Sequence, residues 1–423
     1  MVKCNSFSFK IIAVVSILAL IYILSLATVM AHTTCKSLIS SKWEYLRVVY
    51  IKERSGIDLT NYTVRIVLNS TNFDFGKAKS DGSDIRFYDV YGNELNYWIE
   101  YWSAEKQYAI VWVRIPVIRA NSMEVIHMYY GNPEARPHSN GTSTFVFFDD
   151  FVDKLEKDWL FNPGQSGMGR YNIVDGHVEI GFKYVNDPWG RDLWTKAVVF
   201  YREVPMELTS YSIEVKFWAN TIEINADTYQ VGLGVLEEPR YGNGWYIVGF
   251  LRDSPEGVSV THTLCVEGCW NGVCVEDMFA ERPITDAQVW LRVDVIEHNG
   301  YADFKWYWKQ EIYDPWDYRG EFKNKFVPKY VGLWGKTWDR WGATEIVSRT
   351  DYILVRKYVD PEPSVILGTE VRVCEIPVVG GALLDMEVVK NTTYKEEAKT
   401  FMFITLLMVS LVGIVCLRYL RRK

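Results

Sequence analysis

Apolar and polar residues alternate along most of the chain between its two ends. Examples are the segments TVRIVLN (63–69), AIVWVRIPVI (109–118) and VWLRVDVI (289–296). A period of two residues places successive side chains on opposite faces of a strand, whereas an amphipathic helix needs a period of 3.6. Turn-forming dipeptides such as Asp81-Gly82 and Asn299-Gly300 separate these segments. The pattern predicts an all-β protein built from antiparallel β-sandwiches or jelly rolls.

A stretch rich in Gly, Pro and Asn, GNPEARPHSNGTST at 131–144, interrupts the alternation. Such composition is typical of a connection between domains. We therefore expect a first β-sandwich domain at 43–133 and a second, jelly-roll domain at 145–369. A stalk at 370–399 would follow the second domain.

Each end of the chain carries a long apolar segment. Residues 11–31 follow Lys3 and Lys10 and end in small residues, which is the pattern of a signal peptide, although their length also suits an uncleaved signal anchor. Residues 400–417 carry no charge, and the basic tail 418–423 follows at once. This predicts a transmembrane helix with a cytoplasmic C-terminus. Localisation at the cell membrane is expected, with residues 32–399 outside the cell.

The charge and the aromatic content of the chain indicate which kinds of ligand it can bind. The 423 residues include 46 basic and 53 acidic side chains, for a formal net charge of −7. This balance argues against nucleic-acid binding. Aromatic residues make up 15% of the chain, and they favour strands and supply flat faces for ligands. Four Asn-x-Ser/Thr tripeptides outside the apolar segments are candidate glycosylation sites, at Asn61, Asn69, Asn140 and Asn391.

Five of the seven cysteines fall in the expected external region. The sequence around Cys265 and Cys274 is typical of a β-hairpin, and a disulfide across its strands is the expected state in an exported chain. Cys35 and Cys374 flank the folded region and form a second candidate pair. The alternatives are free thiols and a zinc site made by His262, Cys265, Cys269 and Cys274, whose spacing is loose for such a site.

The first domain carries an ordered set of motifs. It opens with WEYLRVVYI (43–51) and continues with DFGKAKSDGSDIRFYDVYGNELNYWIEYW (74–102), WVRIPVI (112–118) and MYYGNP (128–133). These resemble a domain of unknown function that is common in exported prokaryotic surface proteins. In that family, the domain often precedes a concanavalin A-like lectin/glucanase domain.

The second domain fits this expectation. TFVFFDDF (144–151), KYVGLW (329–334) and DYILVRKYVDPEPSVILG (351–368) resemble the opening, a late strand and the closing strand of a concanavalin A-like, laminin-G-like jelly roll. The resemblance implies a two-sheet antiparallel sandwich that often binds carbohydrate. It implies no defined activity, because the fold carries lectins, enzymes and structural modules.

No catalytic residue is predicted. Glycoside hydrolysis needs two carboxyl groups across a cleft, and glucanases of this fold place theirs on one strand as Glu-x-Asp-x-x-Glu. That spacing is absent. The nearest acidic pairs, Glu237-Glu238 and Glu276-Asp277, are adjacent residues, which point to opposite faces of a strand.

Sugar binding needs accessible aromatic faces beside a few polar groups, with packing in the core or at the sandwich edge as the structural alternative. Seven aromatic residues in turn-like contexts are the candidates: Trp189, Trp194, Tyr241, Trp245, Trp270, Trp338 and Trp341. A structural calcium ion is a further expectation, held by Asp149, Asp150 and Asp351, for which turn and capping roles are the alternative.

The sequence thus favours a membrane-anchored cell-surface protein that binds a glycan or another envelope component. Two alternatives stay open. One is a structural subunit of a surface layer or filament, and the other is a membrane-tethered glycoside hydrolase.

Overall fold

A computed structural model describes residues 43–152, 158–164, 169–183, 197–205, 208–224, 229–239, 244–252, 263–271, 273–277, 287–337 and 345–373. The apolar segments 11–31 and 400–417, the basic tail and most of the expected stalk lie outside these residues. Within the described part of the chain, no helix is long and apolar enough to cross a membrane.

The first domain is a sandwich of a five-stranded and a three-stranded antiparallel sheet, in the orders β23-β1-β7-β3-β4 and β2-β6-β5. Its strands are β1 (Tyr45–Lys52), β2 (Leu59–Asn69), β3 (Arg86–Asp89), β4 (Glu94–Leu95), β5 (Tyr97–Ser103), β6 (Tyr108–Ile118), β7 (Met123–Tyr130) and β23 (Ser364–Arg372). A short 3-10 helix spans Phe75–Lys77, and a short α-helix, Gly141–Thr144, leads into the second domain.

The second domain packs an eight-stranded sheet, β10-β11-β22-β13-β18-β19-β20 with β8 also paired to β22, on a seven-stranded sheet, β17-β16-β15-β14-β21-β12-β9. Its strands are β8 (Phe147–Asp149), β9 (Leu160–Asn162), β10 (Arg170–Val174), β11 (His177–Phe182), β12 (Val198–Glu203), β13 (Ser210–Ala219), β14 (Tyr229–Leu236), β15 (Trp245–Arg252), β16 (Thr263–Trp270), β17 (Val273–Asp277), β18 (Gln288–His298), β19 (Tyr301–Lys309), β20 (Asp317–Lys325), β21 (Tyr330–Thr337) and β22 (Ile346–Lys357).

The predicted all-β architecture of sandwich sheets is confirmed. Strand β6 shows why the sequence folds this way: Val111 and Val113 enter the core of the first domain, while Ile110 and Trp112 point to the opposite side. Because both sets are buried, the strand is apolar on both faces and must be covered on both.

The closing strand differs from the prediction. Residues 351–368 were expected to end the second domain, but they contain parts of two strands. The first, β22, lies in the eight-stranded sheet, whereas β23 returns to the first domain and pairs with β1. There Val365 and Leu367 pack against the core of the first sandwich. An alternating pattern predicts a strand but does not say which sheet it joins.

The two sandwiches stack through their sheets. The outer face of the three-stranded sheet packs on the outer face of the eight-stranded sheet, so the molecule has four layers. The buried residues of this interface are Ile110, Trp112, Phe145, Phe148, Trp290, Ile312, Tyr352 and Leu354. Glu100 links both sides, because its carboxylate accepts hydrogen bonds from Trp112 Nε1 and from the Tyr352 hydroxyl, each at 2.8 Å.

Buried charges border this apolar interface. Arg356 contacts Glu214 at 3.3 Å and also pairs with Glu362. Its guanidinium lies 5.0 Å from the ring centre of Trp112, across the interface. The Tyr62 hydroxyl donates to Glu362 Oε1 at 3.1 Å. Burial by itself would raise the pKa of Glu362, but the charges of Arg356 and Arg292 hold this pKa at about 2.

Candidate functional site

The seven-stranded sheet has a second face that points away from the core of the second domain. On β14, Val231, Leu233 and Val235 enter that core, so Gln230 and Leu236 lie on the opposite side. The same alternation holds along the neighbouring strands. We call this surface the outer face, and its residues include Val199, Tyr201, Gln230, Gly232, Leu236, Trp245, Ile247, Gly249, Cys265, Glu267, Cys269, Tyr330, Gly332, Trp334 and Lys336.

The centre of the outer face combines aromatic rings with buried polar groups. The rings of Trp245 and Trp334 stack at 5.2 Å with an interplanar angle of 14°. The ammonium of Lys336 lies 5.5 Å from the ring centre of Trp245 and 3.3 Å from Glu267 Oε1. Gln230 Nε2 donates to Glu267 Oε2 at 2.5 Å. A charged pair at this depth needs such partners to offset the loss of hydration.

Two glycines make room for this group. Gly232 on β14 and Gly249 on β15 are directly opposite in the register. They lie between the strand of Glu267 and the strand of Lys336. A Cβ atom at Gly232 would come within 2.0 Å of a neighbouring backbone oxygen, and one at Gly249 within 1.8 Å. The absence of side chains here lets groups from β16 and β21 meet above the sheet.

Beside the buried centre, the outer face carries an aromatic pair that solvent reaches. Tyr201 on β12 and Tyr330 on β21 are half-buried, and their rings meet edge to face at 5.4 Å. Burial and the neighbouring Tyr330 raise the pKa of Tyr201, so its phenol stays protonated at neutral pH. Leu160, opposite Tyr201 in the register, is 47% exposed. The pair offers flat apolar faces with a hydroxyl on each ring.

The sequence did not indicate this tyrosine pair. Both residues lie inside regular strands, whereas the candidate aromatics were chosen from turn-like contexts. Their one sequence signal is the position of Tyr330 in KYVGLW, one of the segments that carry the lectin-like resemblance.

The predicted binding aromatics have different surroundings. Trp245 is fully buried in the stack with Trp334, so the accessible position expected for it is wrong. Trp270 ends β16 next to the hairpin turn as predicted, but it is half-buried and meets Tyr301 edge to face at 6.2 Å. The remaining five lie outside the described residues: Trp189, Trp194, Tyr241, Trp338 and Trp341.

All seven candidates nevertheless belong to one sheet or to the segments joined to it. Residues 184–196 precede β12, residues 240–243 join β14 to β15, and residues 338–344 follow β21. Each of these strands is part of the seven-stranded sheet. Trp245 and the tyrosine pair lie on the outer face of this sheet, whereas Trp270 packs against the core between the two sheets.

The aspartates considered for calcium have other partners. Asp149 is buried, and its carboxylate accepts hydrogen bonds at 2.8 Å from Trp159 Nε1 and from the Phe151 amide. Asp150 is exposed and accepts a long bond from a nearby amide, whereas Asp351 pairs with Lys216. No group of three or more His, Cys, Asp or Glu residues placed to hold a metal occurs in the described ranges. Calcium binding stays a prediction.

The hairpin register differs from the one expected for the cysteines. Cys274 on β17 is opposite Cys269, while Cys265 pairs with Gly249 on the other neighbouring strand. The predicted facing of Cys265 and Cys274 is therefore wrong, because the turn begins after Trp270, which is opposite Val273, and the next pair outward is Cys269 with Cys274. His262, Cys35 and Cys374 lie outside the described residues.

The two adjacent acidic pairs of the sequence lie in different parts of the second domain. Glu237 and Glu238 follow the end of β14 in a bend. Glu276 is opposite Glu267 in the hairpin register, a cross-strand relation that single-strand spacing does not reveal. Glu267 itself is engaged by Lys336 and Gln230.

The three described sequons lie at the surface. Asn61 and Asn140 are exposed, and Asn69 is half-buried. Asn140 caps the helix Gly141–Thr144 by accepting from the Ser143 amide at 2.9 Å. Asn391 is outside the described residues, and glycosylation of all four stays a prediction.

Comparison with known proteins adds one family. Residues 81–162 match a family described as "Domain of unknown function (DUF2341)". The match confirms the resemblance to a domain of unknown function, but it crosses the expected boundary at 131–144 and extends to β9. No protein of curated function matches the chain.

Solved structures that match part of the chain include GH43 proteins and lectins. A bifunctional GH43-CE protein of Bacteroides eggerthii is 13% identical, with a TM-score of 0.38, over 59% of this chain and 31% of that one. The GH43 protein BlXynB of Bacillus licheniformis is 14% identical, with a TM-score of 0.36, over 59% of this chain and 47% of that one. This chain thus spans less than half of both.

A smaller structure matches along nearly all of its length. Lectin I of Ulex europaeus, solved with the methyl glycoside of α-L-fucose, is 12% identical, with a TM-score of 0.32, over 49% of this chain and 95% of that one. Similarities at this level do not bear on the activity or the ligand of this protein.

Proposed function

We propose that the protein is a cell-surface binding protein that is attached to the membrane and recognises a glycan through the outer face of the seven-stranded sheet. The observation that carries the proposal is the half-buried pair Tyr201–Tyr330 beside a buried group of Trp, Lys, Glu and Gln side chains. The pair supplies flat faces for the apolar side of a sugar ring, and the tyrosine hydroxyls supply hydrogen bonds to its polar edge.

Two further features support this location. The buried Trp245–Trp334 stack and the Lys336–Glu267 pair hold the centre of the outer face in one conformation. A rigid binding surface loses less conformational entropy when a ligand binds. The segment that carries the candidate Tyr241 joins two strands of the same sheet, β14 and β15. Membrane attachment rests on the apolar segments 11–31 and 400–417 and on their basic flanks.

The test is binding of the external region, residues 32–399, to glycan arrays and cell-wall polysaccharides, with and without calcium. We expect saturable binding that Tyr201→Ala or Tyr330→Ala weakens about tenfold or more, since loss of a stacking face removes about 1.4 kcal/mol or more. Tyr201→Phe keeps the ring and should retain most of the affinity.

The matched control is Tyr91→Ala in the first domain, because Tyr91 is 86% exposed and far along the chain from the outer face. It should leave binding unchanged. If both alanine variants bind as tightly as the wild type, the binding site does not include the tyrosine pair. If the external region binds no glycan at all, the proposal is wrong. Thermal unfolding of each variant separates lost binding from lost folding.

A further inference from the structure

Three buried side chains meet at the centre of the outer face: Gln230 on β14, Glu267 on β16 and Lys336 on β21. One carboxylate oxygen of Glu267, Oε2, accepts a hydrogen bond from Gln230 Nε2 at 2.5 Å and lies 3.5 Å from Lys336 Nζ. Gln230 and Lys336 are each only 1% exposed. An amine, a carboxylate and a carboxamide are therefore held together away from water.

The strand register brings the amine and the carboxamide to one place. Gln230 and Lys336 are directly opposite each other on the neighbouring antiparallel strands β14 and β21. Residues in this relation have Cβ atoms about 5 Å apart, and their side chains point to the same face of the sheet. Both side chains are long enough to cross that gap, so Lys336 Nζ can reach Gln230 Cδ without a change in the backbone.

The carboxamide of Gln230 is only half engaged in hydrogen bonds. Its Nε2 atom donates to Glu267, whereas its Oε1 atom is buried and accepts no hydrogen bond from the residues that the structure describes. An unpaired buried acceptor destabilises a fold, and each such group needs an explanation. A glutamine in this state is poorly explained by a purely structural role.

From this arrangement we propose that Lys336 and Gln230 become joined by an amide bond across β14 and β21, with Glu267 as the group that carries the protons. The inference goes beyond glycan binding and does not depend on it. Holding two reacting groups in contact replaces an encounter in solution with a far faster intramolecular step. A carboxylate in contact with both nitrogens supplies general acid–base catalysis for that step.

The reaction balances with these three groups alone. Lys336 gives a proton to Glu267, and its neutral nitrogen then attacks Cδ of Gln230. The bond between Nζ and Cδ forms, the bond between Cδ and Nε2 breaks, and Nε2 leaves as ammonia. Of the three protons of the ammonium, one stays on the new amide, one completes the ammonia and one remains on Glu267.

The aromatic surroundings favour this outcome. The stacked rings of Trp245 and Trp334 lie beside the group, and Lys336 Nζ is 5.5 Å from the ring centre of Trp245. Burial disfavours an ammonium and a carboxylate relative to their neutral forms, and the neutral amine is the nucleophile. Because the reaction removes both buried charges, the cost of their burial becomes a driving force for the new bond.

The test uses the full-length chain, which is denatured, cleaved after Lys and Arg, and studied by mass spectrometry. We expect residues 217–240 and 330–340 to appear as one branched peptide, lighter by one ammonia than the two separate peptides together. The second peptide extends past Lys336 because an acylated lysine is not cleaved. The control in the same digest is Lys309, which is also buried but donates to the Ile312 carbonyl, and cleavage after it should be normal.

Two variants test the separate roles. Gln230→Met removes the carbon that is attacked, so the branched peptide should disappear and cleavage after Lys336 should return. Glu267→Gln keeps the shape of the side chain but cannot carry a proton, and it should slow the linking about a hundredfold or more. Thermal unfolding shows whether each variant is folded. Charge effects at the Lys336–Glu267 pair are measured in the Gln230→Met background, which keeps both charges and cannot form the bond.

Two results would overturn the proposal. One is a wild-type chain that yields residues 217–240 and 330–336 as separate peptides of ordinary mass, which needs no variant to interpret. The other is a folded Glu267→Gln variant that links as completely as the wild type, which would exclude the carboxylate as the proton carrier. Glycan binding is measured on the arrays, so the two proposals fail separately.

Discussion

Two sheet faces of the second domain use the same kinds of residues for different ends. The outer side of the eight-stranded sheet and the outer face of the seven-stranded sheet both bury tryptophans beside an ion pair: Arg356 with Glu214 on the former, and Lys336 with Glu267 on the latter. The first domain covers the former through Trp112 and Phe145. The outer face of the seven-stranded sheet carries the half-buried pair Tyr201–Tyr330 beside its buried centre. Residue type and the burial of the central side chains therefore do not separate an interface from a candidate site, whereas the half-buried rings of Tyr201 and Tyr330 do.

The largest effect is expected at the domain interface. Arg356 is 1% exposed, and Arg356→Met removes a cation that Glu214 and Glu362 share. We expect the free energy of unfolding to fall by about 3–5 kcal/mol, because the carboxylates lose a buried partner. Urea unfolding measures this. The matched control is Arg372→Met, whose pair with Glu44 is exposed and screened by solvent, so its loss should leave the unfolding free energy nearly unchanged. Equal effects of both changes would contradict a structural role for the interface charges.

On the outer face, Lys336→Met tests whether the buried pair Lys336–Glu267 stabilises the fold beneath the site. We expect a loss of about 3 kcal/mol in unfolding free energy, because the buried carboxylate of Glu267 loses its cation. Adding Glu267→Gln should recover at least half of that loss, since no buried charge then remains in the pair. If the double variant is as unstable as the single one, the destabilisation comes from lost packing rather than from charge.

The hairpin at the edge of the same sheet should contain a disulfide. Opposite residues of an antiparallel pair have Cα separations that suit a disulfide, and the register puts Cys269 opposite Cys274. Cleavage after Glu267 and Glu276 releases both cysteines on one peptide, separate from Cys265. A second cleavage after Trp270 should leave two fragments joined until reduction. We expect Cys274→Ser to cost about 2 kcal/mol, because the closed loop is short.

The smallest effect concerns pH. The pKa of Glu362 is held at about 2, below the ordinary glutamate value it regains on unfolding. The folded state therefore binds this proton less readily than the unfolded state does. Its contribution to stability is fully present above the ordinary value of about 4.3 and is lost as pH falls toward 2. Glu362→Gln should flatten the decline of unfolding free energy between pH 5 and 2. An unchanged slope would show that other carboxylates dominate acid sensitivity.

The pattern of residues within single strands predicted most of the secondary structure. It did not predict which strands pair, because pairing depends on residues far apart in the chain. Segments such as AIVWVRIPVI are strands because alternation in a short window is sufficient to define two faces. The assignment of β23 was wrong, since its partner β1 is more than 300 residues earlier in the chain and no local signal specifies it. The cysteine pairing was wrong because a small displacement of the turn changes every opposite pair in a hairpin.

The candidate site could be predicted only in part. Turn-context aromatics pointed to the seven-stranded sheet only through Trp245 and Trp270, which lie on its strands β15 and β16. They did not reveal Tyr201 and Tyr330, because a tyrosine inside a strand has the same pattern whether its ring faces the core or an outer surface. Trp245 shows the converse error, since its glycine-rich context suggested exposure while β21, two strands away in the sheet, supplies Trp334 as a stacking partner.

The sequence by itself determined that the folded region consists of strands, that its first domain resembles a domain of unknown function, and that it lies between two apolar segments. These properties depend on residues that are close together in the chain. The tertiary structure alone decided which sheet covers which, where the buried ion pairs form, and that β23 joins β1 in the sheet of the first domain. Those outcomes depend on contacts between distant strands, and a strand's own alternation is equally consistent with many partners.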